Sequence, residues 1–194
     1  SHHNIDDGWD LYAKSTSGEI GQVVIEDCVA YENGYLTTVN ENPVYGEGNG
    51  FKLGGENMPG AHILRNCVSF NNYAKGVTSN SGRDVQVFNV TSFNNRAENL
   101  ALYTSAAVTG YAVDGFVSFK PGKTDYVNVS GQAAIESETN YLNESNINNA
   151  KVTEAWFASL TEVVPTYNED GSINLGDFLK LTDAADANAG ARFV

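Results

Sequence analysis

Three stretches of this chain align with one another without a gap. They are Ile25-Glu26-Asp27-Cys28-Val29-Ala30-Tyr31-Glu32-Asn33, Leu64-Arg65-Asn66-Cys67-Val68-Ser69-Phe70-Asn71-Asn72 and Phe88-Asn89-Val90-Thr91-Ser92-Phe93-Asn94-Asn95. A looser copy is Gly115-Phe116-Val117-Ser118-Phe119. A second series runs alongside the first: Asp7-Gly8-Trp9-Asp10-Leu11, Asn49-Gly50-Phe51-Lys52-Leu53, Lys75-Gly76-Val77-Thr78-Ser79 and Glu98-Asn99-Leu100-Ala101-Leu102. Gly50 and Gly76 lie 26 residues apart, and Gly76 and Asn99 lie 23 apart. Gly8 and Gly50 are 42 apart, which places an insertion around Leu36 to Glu47.

A period of this size marks a solenoid, in which each unit buries its apolar face on the next. Each unit divides into three short apolar runs separated by polar or glycine turns, and none has the length or 3.6 spacing of a helix. The pattern predicts an all-β fold, a right-handed parallel β-helix with three short strands per coil. Coils stack at the inter-strand distance of ~4.8 Å. The repeat fades after Leu102. Tyr126 to Ile135 read as one more irregular coil, so 1–135 are assigned to the coils. Residues 136–194 are read as a C-terminal cap over the last coil, because solenoids need capped ends. Within it, Val152 to Leu160 read as a short helix with Thr153 as N-cap, and Asn168-Glu169-Asp170-Gly171 as a hairpin turn.

Strand side chains alternate between faces, so the columns can be assigned. Trp9, Phe51, Val77 and Leu100 are apolar and point inward. Asp10, Lys52, Thr78 and Ala101 then point outward to solvent, as do Tyr12, Gly54, Asn80 and Tyr103 two positions on. Cys28 and Cys67 share a column with Val90, a buried stack of small side chains. Adjacent coils leave a disulfide open on distance, with free thiols the expected state. Asn33, Asn72 and Asn95 form a column at a tight turn, where stacked amides can hydrogen-bond from coil to coil.

The net charge is −13, with 24 acidic and 11 basic residues among 194. That argues against binding nucleic acid or an anionic membrane by simple electrostatics, and no apolar run approaches the ~20 residues of a membrane span. His2, His3 and His62 show no metal-ligand spacing, and no Ser-His-Asp set or nucleotide motif is present.

The chemistry gathers on one strand edge. Asp6, Asp7 and Asp10 are clustered carboxylates, which repel unless a cation compensates. Ca²⁺ accepts 6–8 oxygens in irregular geometry, and a solvated acidic turn is the alternative. Lys52 occupies the Asp10 position one coil along. It sits in the glycine-flanked strand Gly48-Asn49-Gly50-Phe51-Lys52-Leu53-Gly54-Gly55, whose missing side chains are expected to leave a flat surface for a polymer. A free lysine, with a pKa of ~10.4, is a poor base, and a nearby cation lowers it. Tyr12, Asn80 and Tyr103 lie on the expected substrate face. Lys75 and Arg83 are further candidates for sugar carboxylates, with a solvated role as the alternative.

The segments Asp6-Asp7-Gly8-Trp9-Asp10-Leu11-Tyr12, Gly48 to Gly55 and Asn66 to Asn72 resemble polysaccharide lyase family 9. That family holds pectate lyases and rhamnogalacturonan lyases on a right-handed parallel β-helix. The tail, Asp170-Gly171-Ser172 and Phe178-Leu179-Lys180-Leu181, looks like the end of the same catalytic domain. The resemblance implies that Asp6, Asp7 and Asp10 bind calcium and that Lys52 is the Brønsted base of a β-elimination. In that reaction the C5 proton of a galacturonate is removed and the C4–O4 bond breaks. It implies an acidic plant polysaccharide as partner, polygalacturonate or rhamnogalacturonan I, and a secreted, periplasmic or cell-surface location. The family takes a further calcium aspartate from an earlier coil. The chain is therefore expected to be the C-terminal half of a longer catalytic domain, partnered by the N-terminal half. The column after Lys52, Val77-Thr78-Ser79-Asn80, matches no family motif.

Two other readings stay open. Asp6 and Asp7 are a carboxylate pair such as an inverting galacturonan hydrolase uses, although Gly-His-Gly and Arg-Ile-Lys motifs are absent. A non-catalytic β-helix, an adhesin or carbohydrate-binding domain, predicts binding without turnover.

Overall fold

The computed structural model describes residues 1–36, 46–106, 111–128, 138–142 and 151–193. The first coil comprises β1 (Trp9–Asp10), β2 (Val24–Glu26) and β3 (Val29–Tyr31), and the second β4 (Phe51–Lys52), β5 (Ile63–Arg65) and β6 (Val68–Phe70). The third comprises β7 (Val77–Thr78), β8 (Gln86–Phe88) and β9 (Thr91–Phe93), and the fourth β10 (Leu100–Leu102), β11 (Ala112–Asp114) and β12 (Val117–Phe119). β13 (Tyr126–Asn128) begins a fifth. The strands pair in parallel into three sheets, β1-β4-β7-β10-β13, β2-β5-β8-β11 and β3-β6-β9-β12. This is the right-handed parallel β-helix that the repeat predicts. The expected coil at Tyr126 to Ile135 pairs through Tyr126–Asn128 with β10; 129–135 fall outside the described residues, as do 37–45 of the insertion.

Register follows the sequence columns. Trp9 pairs with Phe51, Phe51 with Val77 and Val77 with Leu100. These side chains fill the bore with Ile25, Leu64, Cys67, Val87, Val90, Val113 and Phe116. Cys28 packs at the edge of this cluster, and both cysteines are free thiols.

Two turns repeat because one residue in each takes a left-handed conformation, which Asn and Asp tolerate best among residues with a side chain. Between the second and third sheets these are Asp27, Asn66 and Asn89 (φ 52°, 48° and 51°), then Gly115 (φ 69°). After the third sheet they are Glu32, Asn71, Asn94 and Lys120 (φ 50°, 54°, 53° and 50°). The adjacent Asn column is a ladder. Asn33 Nδ2 donates to Asn72 Oδ1 at 2.8 Å, and Asn72 Nδ2 to Asn95 Oδ1 at 2.8 Å. The ladder extends beyond the expected three residues: Asn4 Nδ2 donates to Asn33 at 2.8 Å, and Asn95 Nδ2 to Asn99 Oδ1 at 2.9 Å. The ladder explains the glycine column. A Cβ on Gly50 would lie 2.3 Å from Ser69 Oγ and 2.8 Å from Asn72 Nδ2.

The C-terminal segment departs from the sequence reading. Residues 138–142 stack on the last coil as expected, with Tyr141 bridging Val117 in parallel and Leu142 in the bore, whereas 151–193 lie along the outer face of β3-β6-β9-β12. Val29, Tyr31, Val68, Phe70, Phe93, Val117 and Phe119 point outward from that sheet and are buried by Trp156, Phe157, Leu175, Phe178, Leu179, Ala189 and Ala191. Phe178 meets Phe70 edge-on at 5.0 Å and Phe93 at 5.9 Å. The expected helix over 152–160 is a single 3₁₀ turn, Glu154–Trp156, and Thr153 makes no side-chain cap bond. The apolar run there is spent on docking: Trp156 against Tyr141 and Phe157 against Phe119. The hairpin is as expected, with β14 (Thr166–Tyr167) antiparallel to β15 (Ile173–Asn174).

Candidate active site

The register that aligns Trp9 with Phe51 also sets Asp10 beside Lys52. Asp7 precedes β1 and is held by the next coil: its Oδ1 accepts Asn49 N at 2.7 Å and Asn49 Nδ2 at 2.8 Å. Its Oδ2 faces Lys52 Nζ at 2.9 Å and takes no further hydrogen bond among the described residues. Lys52 Nζ lies 3.5 Å from Asp10 Oδ2 and 3.6 Å from Glu47 Oε2. Asp6 Oδ1 accepts Glu47 N at 2.6 Å. Asp10 Oδ1 accepts Tyr12 N at 2.9 Å.

The electrostatics follow from this crowding. Burial alone would lower the Lys52 pKa, but the hydrogen bond and charge of Asp7, then the charges of Asp10 and Glu47, hold the ammonium well above its ordinary value. Burial pushes the Asp7 carboxyl up, against the opposing bonds from Asn49 and Lys52. Three carboxylates therefore share one ammonium, and with Asp6 beside them the site is net negative. Asp6, Asp7 and Asp10 each offer an oxygen within 4.8 Å of the others. Asp7 Oδ2 is buried and free to accept a further positive partner. Hard, anionic oxygens on a turn and a strand suit a cation of the Ca²⁺ type. Sequence reasoning missed Glu47. It closes the insertion and belongs to no repeat column, so only an acidic residue a few positions before Lys52 signalled it.

Two expectations are corrected. The column Lys52, Thr78 and Ala101 is not open to solvent; these residues are 7%, 1% and 1% exposed. Tyr103 reaches Thr78 and donates to Asn80 Oδ1 at 3.1 Å, so the polar side chains close over the strand. The glycines around Lys52 leave no flat surface either, because Gly48, Gly50, Gly54 and Gly55 are buried. Gly55 lies under the Tyr12 ring, and Gly54 (φ 151°) packs its backbone on that of Gly82.

Tyr12 is brought to the site. Its ring lies 5.1 Å from Lys52 Nζ, and its hydroxyl donates to Glu56 Oε1 at 2.8 Å. Bonds from the Ser15 hydroxyl and amide, then from Tyr12, pull the Glu56 carboxyl down to about 2. Asn80 donates to Gly54 O at 3.1 Å on the same side of the coils. Lys75 touches the site's support through its amide, which donates to Asn49 Oδ1 at 3.2 Å. Arg83 bridges to Pro59, and nothing links it to the carboxylates among the described residues. His62 is a buried structural residue whose Nδ1 accepts Val23 N at 3.1 Å, with burial lowering its pKa.

Comparison with known proteins agrees with this architecture. Pectate lyase L of Thermoclostridium stercorarium is 48% identical over 145 residues, covering 73% of this chain and 11% of that protein. Pectate lyase L of Paenibacillus polymyxa (strain SC2) is 36% identical over 189 residues, 95% of this chain and 40% of that one. The crystal structure of pectate lyase Pel9A superposes with a TM-score of 0.70 at 26% identity, over 95% of this chain and 43% of that one. A rhamnogalacturonan lyase structure shares the fold, with a TM-score of 0.76 at 24% identity, over 97% of this chain and 48% of that one. The chain thus spans less than half the length of each of these relatives. The family described as the Pel9A-like, right-handed beta-helix region matches residues 1–110, and with those coils built as described above, the chain belongs to that family.

Proposed function

We propose that this chain carries the reaction centre of a calcium-dependent polysaccharide lyase that cleaves galacturonate-containing, pectin-type polymers by β-elimination, outside the cytoplasm. The observation that carries the reading is the buried Lys52 ammonium among Asp7, Asp10 and Glu47, next to the Asp6–Asp7–Asp10 cluster. Similarity to pectate lyases supports the reaction class. Similarity in fold to a rhamnogalacturonan lyase keeps the rhamnogalacturonan backbone beside polygalacturonate as substrate.

In this reading Asp6, Asp7 and Asp10 hold the cation. Bound there, it supplies positive charge that acidifies the proton α to a uronate carboxylate and relieves the negative field that keeps Lys52 protonated. Lys52 Nζ, unprotonated, takes the C5 proton as general base. Electron density moves into a C4=C5 double bond, and the C4–O4 bond breaks. Asp7 orients Lys52, and Asn49 orients Asp7. Tyr12 offers a partly exposed ring beside Lys52 for a sugar face, Asn80 and Tyr103 a polar edge on the same side, and Lys75 and Arg83 outlying cationic groups.

The test is ultraviolet absorbance of unsaturated uronate on polygalacturonate and on rhamnogalacturonan I, with and without a chelator. The expected result is a rise on one polymer that the chelator abolishes and Lys52→Ala does not show. Cleavage without an unsaturated product would identify a hydrolase, and binding without cleavage a carbohydrate-binding domain.

A further inference from the structure

Cys28 and Cys67 enter neither the candidate site nor its reading, yet the fold sets them in register. Val29 pairs with Val68, and Val68 N donates to Cys28 O at 3.0 Å. The two cysteines therefore stack directly across a parallel pair, about 4.8 Å apart along the stack, within the Cα range of roughly 4.4–6.8 Å that a disulfide spans. The Cys67 thiol reaches into the Cys28 coil, donating to Ile25 O at 3.8 Å. The two thiols are unequal. Cys67 is fully buried and also donates to Arg65 O at 3.1 Å. Cys28 is only partly buried and donates to Glu26 O at 3.0 Å at the mouth of the turn. One thiol faces reagent, and the other stands behind it.

We propose that Cys28 and Cys67 form an oxidisable dithiol pair, a modification site for small-molecule disulfides, that closes into a coil-to-coil cross-link. The Cys28 thiolate attacks one sulfur of the external disulfide RSSR, whose S–S bond breaks to release RS⁻. The Cys67 thiol gives its proton to that thiolate and attacks the Cys28 sulfur, expelling the second RS⁻, which is protonated by the proton Cys28 lost. Two S–H bonds are oxidised to one S–S bond, and RSSR is reduced to two RSH. Interaction with the neighbouring Cys67 thiol, acting against burial, brings the Cys28 thiol down to about 7, while burial raises Cys67, which matches an attacking and a resolving role. The bridge joins the coil bearing Asp7 and Asp10 to the coil bearing Lys52, across the insertion. The proposal rests on the thiol geometry and is independent of the lyase reading.

The test is incubation of the chain with oxidised glutathione at mildly alkaline pH, followed by intact-mass and non-reducing peptide mapping. The expected product has lost two hydrogens, carries a Cys28–Cys67 linked peptide and melts about 5–10 °C higher. Cys67→Ala is expected to stop at one glutathionyl group on Cys28. Cys28→Ala is expected to react about tenfold more slowly or less, because a buried thiol is inert. If the wild-type chain keeps both thiols, or stops at a single glutathionyl group, the pair cannot bridge and the proposal fails. Peptide mapping of the wild type decides this even if a variant does not fold.

Discussion

Lys52 and Asp7 come from successive coils and meet as an ion pair of 2.9 Å at residues only 7% and 8% exposed. The pair is built by register: Lys52 leaves the strand position that Asp10 occupies one coil earlier. Removing the ammonium leaves the buried Asp7 carboxylate facing Asp10 and Glu47. Lys52→Ala is expected to abolish turnover and to lower stability by about 2–3 kcal/mol, toward the lower end for a broken buried pair because Asp10 and Glu47 admit water. Denaturant melts beside the absorbance assay measure both. Full activity in this variant would end the base assignment.

Calcium added without substrate is expected to raise the melting temperature. A free concentration about 100-fold above Kd contributes about 2.7 kcal/mol, or about 5–10 °C for a chain of this size. Asp7→Asn and Asp10→Asn are expected to remove the shift, and a chelator to reverse it. Thermal scans of the three proteins give the answer, and an equal shift in all three would place the cation elsewhere.

Asn72 is the busiest rung of the ladder. Its Oδ1 accepts Asn33 N and Nδ2, while its Nδ2 donates to Ala30 O, Ser69 Oγ and Asn95 Oδ1. Asn72→Ala is expected to cost about 3 kcal/mol or more, since several buried polar groups lose partners at once. The exposed hairpin residue Asn174→Ala is expected to stay within about 0.5 kcal/mol. Similar costs in equilibrium unfolding would mean that the ladder adds nothing beyond turn propensity.

Two glycines separate steric closure from backbone strain. Gly18 (φ 90°) has nothing within 4 Å of an added Cβ, whereas at Gly54 (φ 151°) that atom would lie 2.5 Å from Gly82 Cα. Gly18→Ala is expected to cost about 1–2 kcal/mol from conformation alone. Gly54→Ala carries a backbone clash as well, and it is expected to cost more and to raise KM or lower kcat through the adjoining Lys52 strand. Equal costs for the two would show that the coils yield freely at this contact.

Phe178, 1% exposed, wedges between the Phe70 and Phe93 rings. Phe178→Ala is expected to cost about 3–4 kcal/mol and to expose residues 152–193 to hydrogen exchange and proteolysis ahead of the coils. Uniform loss of protection would instead make the tail and coils one cooperative unit.

Periodicity carried the architecture on its own. A parallel coil repeats its side chains in register, so aligning Trp9, Phe51, Val77 and Leu100 in the sequence was already aligning them in space, and Asp10 fell beside Lys52 by the same rule. What did not repeat was not legible. Glu47 belongs to the insertion and reaches Lys52 only through the chain's path. The tail's apolar residues follow no coil period, and only packing shows that they cover the outer face of one sheet. The burial of Thr78 and Ala101 is not legible either, because alternation says which way a side chain points, not what lies over it. The charge state of Lys52 was the last to emerge. It depends on burial and on three carboxylates brought within a few ångströms of one nitrogen, and only the stacked coils determine those distances.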